Sequence, residues 1–133
     1  MSLLIVAAKN KKHAFELCAI YNDVAPHCMV DEIEGIAGFL YDFKEKFLNY
    51  ECYYTFDPYR DTYLKKSKVN EIKIFANSIL NWIIESNIEE DIIIERYNLT
   101  FEEIKNFAIA LNNICDFAIT NGYGLVGLGD WKS

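Results

Sequence analysis

A threonine followed three residues later by a glutamate, Thr100-Phe-Glu-Glu103, opens the longest periodic stretch of this chain and limits its fold more than any other feature. The threonine hydroxyl can accept from the N–H three residues on while the glutamate reaches back. Two of the donors that a helix start leaves unpaired are then satisfied locally. Behind this signal Phe101, Ile104, Phe107, Ala108, Leu111, Ile114, Cys115, Ala118 and Ile119 recur at i, i+3, i+4, i+7, and Gly122 ends the pattern. A helix over 100–121 with one apolar face is expected, and such a face needs a partner. The stretch from Ser67 to about Asn87 supplies one, with Val69, Ile72, Phe75, Ala76, Ile79 and Ile83 in register. Leu80, Trp82 and Ile84 widen its apolar surface, so this second helix is expected to be buried on more than one side.

Further helices follow from weaker signals. Lys11 to Asp23 places Ala14, Leu17, Cys18 and Tyr21 on one side, and Pro26 stops any continuation. Asp31 reads as the cap of a helix with Glu34 at its third position, whose stripe of Ile33, Ile36, Ala37, Leu40, Phe43 and Phe47 runs to about Asn49. Gly35 and Gly38 weaken that helix by about 1 kcal/mol each unless another element packs closely there. Residues 88–97 carry strand-forming Ile92-Ile93-Ile94, but Glu89, Glu90 and Asp91 stand where a helix start favours acids. A short helix is expected there. Leu3 to Ala7 and Cys52 to Phe56 read as candidate short strands. The expectation is one domain over residues 1–133, mainly α, a bundle of four to six helices, with α+β around a small minor sheet as the alternative.

A chain of 133 residues with 52% hydrophobic and 15% aromatic side chains can bury a core without metals or disulfides. Cys18, Cys28, Cys52 and Cys115 form no C-x-x-C pair, so reduced thiols are expected, with no cofactor and no metal. No stretch approaches the roughly 18 apolar residues of a membrane span. Lys9, Lys11 and Lys12 follow the apolar N-terminal run instead of preceding it, the wrong polarity for a secretory signal. The expected compartment is the cytoplasm.

Gly122-Tyr-Gly124-Leu-Val-Gly127 has the G-x-G-x-x-G spacing of a dinucleotide-binding loop. In such a loop a strand enters the glycines and a helix leaves them, so that free N–H groups meet the pyrophosphate. Here a helix enters. Asn121-Gly122 is therefore taken as a helix stop followed by a flexible or extended tail.

Charge is the remaining pronounced property. Of the net −7, residues 1–68 carry −1 and residues 69–133 carry −6. Between Glu85 and Glu103, seven acids (Glu85, Glu89, Glu90, Asp91, Glu95, Glu102 and Glu103) face one cation, Arg96. Nucleic-acid binders show the opposite balance, so no nucleic acid and no membrane is expected as partner. Five of the nine tyrosines, Tyr50, Tyr53, Tyr54, Tyr59 and Tyr63, gather around Arg60, a composition that suits either an interface or a core with bonded hydroxyls. No G-x-S-x-G or H-E-x-x-H string occurs, and no carboxylate pair is tied by spacing to a base or nucleophile, so no catalytic residue is assigned. The function expected is a non-catalytic protein-binding module with a basic protein partner, such as an inhibitor or immunity protein that neutralises a nuclease toxin. Its binding residues would be Glu85, Glu89, Glu90, Asp91, Glu95 and Glu102 together with Tyr53, Tyr54 and Tyr59. The alternative is a small cytosolic enzyme, or a homo-oligomer subunit, with a site around His27 and Cys28.

Overall fold

The local signals around Thr100 produce the helix they announce. In the computed structural model, which describes residues 3–21 and 28–129 and only the backbone of residues 20 and 21, α6 spans Phe101–Asn121. The Thr100 hydroxyl accepts from the Glu103 N–H and the Glu103 carboxylate accepts from the Thr100 N–H, while Gly122 closes the far end at φ 70°. Its partner α4 spans Val69–Glu85. Among the described residues the two helices form the most extensive contact between elements, and Ile72, Phe75 and Ile79 of α4 and Ile104, Leu111 and Ile114 of α6 are buried. α4 is less enclosed than its apolar surface suggests. Trp82 packs edge-on to Phe39 and Phe47, but Ile84 is 81% exposed.

The remaining helices are α1 (Lys11–Tyr21), α2 (Ile36–Asp42), α3 (Tyr50–Tyr53) and α5 (Glu90–Tyr97), with 3-10 turns at Lys44–Lys46 and Lys66–Lys68. Helix accounts for 61% of the structure, yet the fold is not a pure bundle. A four-stranded antiparallel sheet runs in the order β2-β1-β4-β3, with β1 at Leu3–Ala8, β2 at Met29–Asp31, β3 at Thr62–Leu64 and β4 at Gly124–Gly129. The α+β alternative describes the molecule better than the bundle.

The sheet corrects three expectations. Successive strand residues point to opposite faces, and all six residues of β1 are at most 5% exposed, so β1 is covered on both sides. α6 packs on β1, β2 and β4, and α1 packs on β1. The glycine-rich tail is not a loose end, because residues 124–129 form an interior strand. It pairs with β1 from Leu3↔Gly129 to Ala8↔Gly124 and with β3 from Thr62↔Gly127 to Leu64↔Leu125. Its glycines answer to packing: a Cβ on Gly127 would stand 2.7 Å from Phe56 Cδ1 and 2.8 Å from Thr62 Oγ1. Asp31 belongs to β2, opposite Leu4, so it caps no helix. The helix begins five residues later, after Gly35 at φ 90°. Residues 52–56 are not a strand but the end of α3 and the turn that follows it.

Of the two glycines Gly35 and Gly38, close packing requires only the first. Any side chain on Gly35 would collide with the Tyr97 carbonyl oxygen at the end of α5, and Gly38 faces the Tyr97 ring. α5 itself ends on Asn98 in the left-handed conformation, and of its three consecutive isoleucines only Ile93 is buried.

Candidate functional site

The tyrosine-rich segment divides into core and surface. α3 turns Tyr50 and Tyr53 inward, to 8% and 5% exposure, and Tyr53 stacks on Phe75 of α4 with ring centroids 4.9 Å apart. Tyr54 and Tyr59 remain 65% and 68% exposed. Tyr53 is thus a core residue rather than a docking residue, which corrects one expected binding position. Its hydroxyl donates to Glu32 Oε2.

That contact sits beside a cleft of about 570 Å³, to which α2 contributes Tyr41, α3 and its turn contribute Tyr50, Tyr53 and Tyr54, and the following loop contributes Tyr59. Glu32, just after β2, is one of the two carboxylates that line the cleft. Burial pushes its pKa up from the usual 4.5, the Tyr53 hydrogen bond acts against that shift, and the nearby Asp31 charge adds to it. The same enclosure raises the Tyr50 hydroxyl to about 12, with Tyr54 and Glu32 contributing. Asp57 and Arg60 also line the cleft but pair with each other, Arg60 Nε standing 3.0 Å from Asp57 Oδ2. Nothing in the sequence linked Glu32 or Tyr41 to this cluster, since their positions precede it and only the fold brings them to the same cleft.

The acidic residues gather along the α4–α5–α6 connection. Glu85 lies in the last turn of α4, Glu89 precedes α5, Asp91 and Glu95 lie on α5, and Glu102 is in the first turn of α6; all five are exposed. None of them enters an ion pair among the described residues, and Arg96, the one cation within the segment, lies over the Tyr97 ring. Glu90 differs, because its carboxylate accepts from the Phe101 N–H at 2.7 Å and so helps to cap α6. Exposed apolar groups accompany the acids, with Ile92 54% and Ile94 39% exposed beside Ile84. Glu85 also borders a hollow of about 510 Å³ that it shares with Leu48, Trp82 and Lys46.

The acidic surface and the tyrosine cleft are not one patch. Ala37, Leu40 and Tyr41 of α2 line the cleft, whereas Gly35 and Gly38 meet Tyr97 and Asp42 accepts from its hydroxyl. At roughly 100° per residue these two sets fall on opposite sides of α2.

The site around Cys28 gains little. His27 lies outside the described residues, and Cys28 is buried, which pushes its thiol pKa up and away from the thiolate that a nucleophile requires. His13 is engaged locally, its Nδ1 accepting from the Lys9 N–H at 3.0 Å and its ring packing edge-on to Tyr123. All four cysteines are free. Among the described residues, no three His, Cys, Asp or Glu side chains converge as metal ligands, and no helix is long and apolar enough to cross a membrane. Comparison with known proteins gives no match to a family model, to a curated protein or to a solved structure.

Proposed function

We propose that this chain is a non-catalytic protein-binding module that docks a basic protein, in the manner of an inhibitor or immunity protein that covers the cationic face of a toxin such as a nuclease. The observation that carries the reading is the set of exposed carboxylates Glu85, Glu89, Asp91, Glu95 and Glu102, which lack ion-pair partners within the described chain and are interspersed with exposed Ile84, Ile92 and Ile94. Unneutralised acids raise the local concentration of a cationic partner and speed its encounter. Apolar side chains among them provide the area that a lasting contact needs. A nuclease must present a positive surface to its substrate, and it works where nucleic acid is, so a neutraliser of this kind belongs in the cytoplasm.

The test is affinity capture from the native host at low and moderate salt, in parallel with a variant carrying Glu85→Lys and Glu95→Lys. The reading expects a basic protein that the wild type retains, that salt releases, and that the variant loses. An acidic partner, or equal retention by both proteins, would overturn it.

A further inference from the structure

The residues that line the tyrosine cleft are not balanced in charge. Arg60 and Asp57 cancel each other at its rim, which leaves Glu32 as the one charge without an opposite partner. One Glu32 oxygen accepts the Tyr53 hydroxyl, and among the described residues neither oxygen meets a cation. The same cleft is lined by Tyr41, Tyr50, Tyr54 and Tyr59, of which Tyr50 and Tyr54 stack on each other, and aromatic faces are negative by virtue of their quadrupole. A cation already uses this chemistry at the edge of the cleft, where Lys44 Nζ lies 4.3 Å from the centroid of Tyr41. Tyr54 and Tyr59 remain more than half exposed, so the rim is open to solvent. A volume of about 570 Å³ lies within the range of ligand pockets.

We propose that this cleft binds an organic cation, an alkylammonium or guanidinium group, held between the tyrosine faces and the Glu32 carboxylate. An anion would meet Glu32, and the one cation of the lining, Arg60, is already paired with Asp57. A neutral ligand would leave the carboxylate as it is. A cation engages both, because aromatic faces and a partly buried carboxylate favour the same sign of charge. The site stands apart from the acidic surface, so it can exist whether or not that surface docks a protein.

The experiment is an NMR titration of ring-labelled tyrosine with choline and with its neutral isostere 3,3-dimethylbutan-1-ol. The proposal expects shifts confined to the cleft tyrosines and a preference for choline of about tenfold. Tyr59→Ala, at an exposed position, should weaken choline binding several-fold. Glu32→Gln should bring choline and the isostere close together, and the Tyr59 variant serves as the second readout if the glutamine protein does not fold. Titration with the blocked amides of lysine and arginine separates the two sources of such a cation: tighter binding than choline assigns the cleft to a side chain of a protein, and weaker binding assigns it to a free quaternary ammonium. Equal affinity for choline and the isostere, shifts elsewhere in the protein, or an unchanged preference in folded Glu32→Gln would overturn the proposal.

Discussion

Two glycines three residues apart should respond to alanine with opposite signs. Gly35 stands at φ 90°, where an L side chain costs about 1–2 kcal/mol. Its Cβ would also collide with the Tyr97 carbonyl oxygen, which belongs to the backbone of α5 and cannot rotate away. Overpacking of this kind adds about 1–3 kcal/mol, so Gly35→Ala should destabilise by about 2–5 kcal/mol in total. Gly38 lies inside α2 with no positive φ, and its Cβ would stand 4.0 Å from the Tyr97 ring, an ordinary contact. There alanine removes backbone freedom from the unfolded chain at no steric cost and should stabilise by about 0.5–1 kcal/mol. Urea unfolding followed by circular dichroism gives both numbers from one set of curves. If Gly35→Ala lies within about 0.5 kcal/mol of wild type, or both variants shift in the same direction, the close approach of α5 to the start of α2 is wrong.

Other outcomes follow from single contacts. Leu111, fully buried on α6, should cost about 2–5 kcal/mol when replaced by alanine, as measured by the denaturation midpoint. Glu90→Ala removes the carboxylate that caps α6 and should lower stability by about 1–2 kcal/mol, whereas the exposed neighbour Glu89→Ala should change it by less than about 0.5 kcal/mol in the same thermal melts. Because burial raises the Glu32 pKa above 4.5, the folded state holds its proton at pH values where the unfolded chain has lost it. The stabilising contribution is complete below about 4.5 and fades as pH rises through the folded value, so the stability of Glu32→Gln relative to wild type should climb across that window and then level off.

How far the sequence reached depends on whether a signal is local. The capping box at Thr100, the stripe behind it and the stop at Gly122 are each decided within a few residues, and α6 forms as expected. The acids at 89–91 likewise outweighed the isoleucine run that follows, and α5 is a helix. Gly124 to Gly129 reads as a tail because glycine weakens a strand in isolation. It is a strand only because β1 and β3 pair with it and Phe56 needs the space at Gly127. Asp31 imitates a cap, but its backbone is held opposite Leu4, and pairing within the sheet overrides the local preference. In the cleft, Tyr54 and Tyr59 were visible as part of an aromatic cluster. The inward turn of Tyr53 depends on tertiary packing, its ring lying against Phe75 of α4, and Glu32 becomes its partner only through the fold.

The acidic surface is tested most directly by stopped-flow association with the captured partner, comparing wild type with Glu85→Lys/Glu95→Lys at low and moderate salt. These two positions lie in the last turns of α4 and α5, where a cation suits the helix dipole, so the fold is retained while the charge reverses. Steering by exposed charge acts on encounter rather than on escape. The account predicts association slowed by about tenfold at low salt, a flattened salt dependence, and dissociation changed by less than about threefold. An association rate equal to that of wild type at every salt concentration would contradict it.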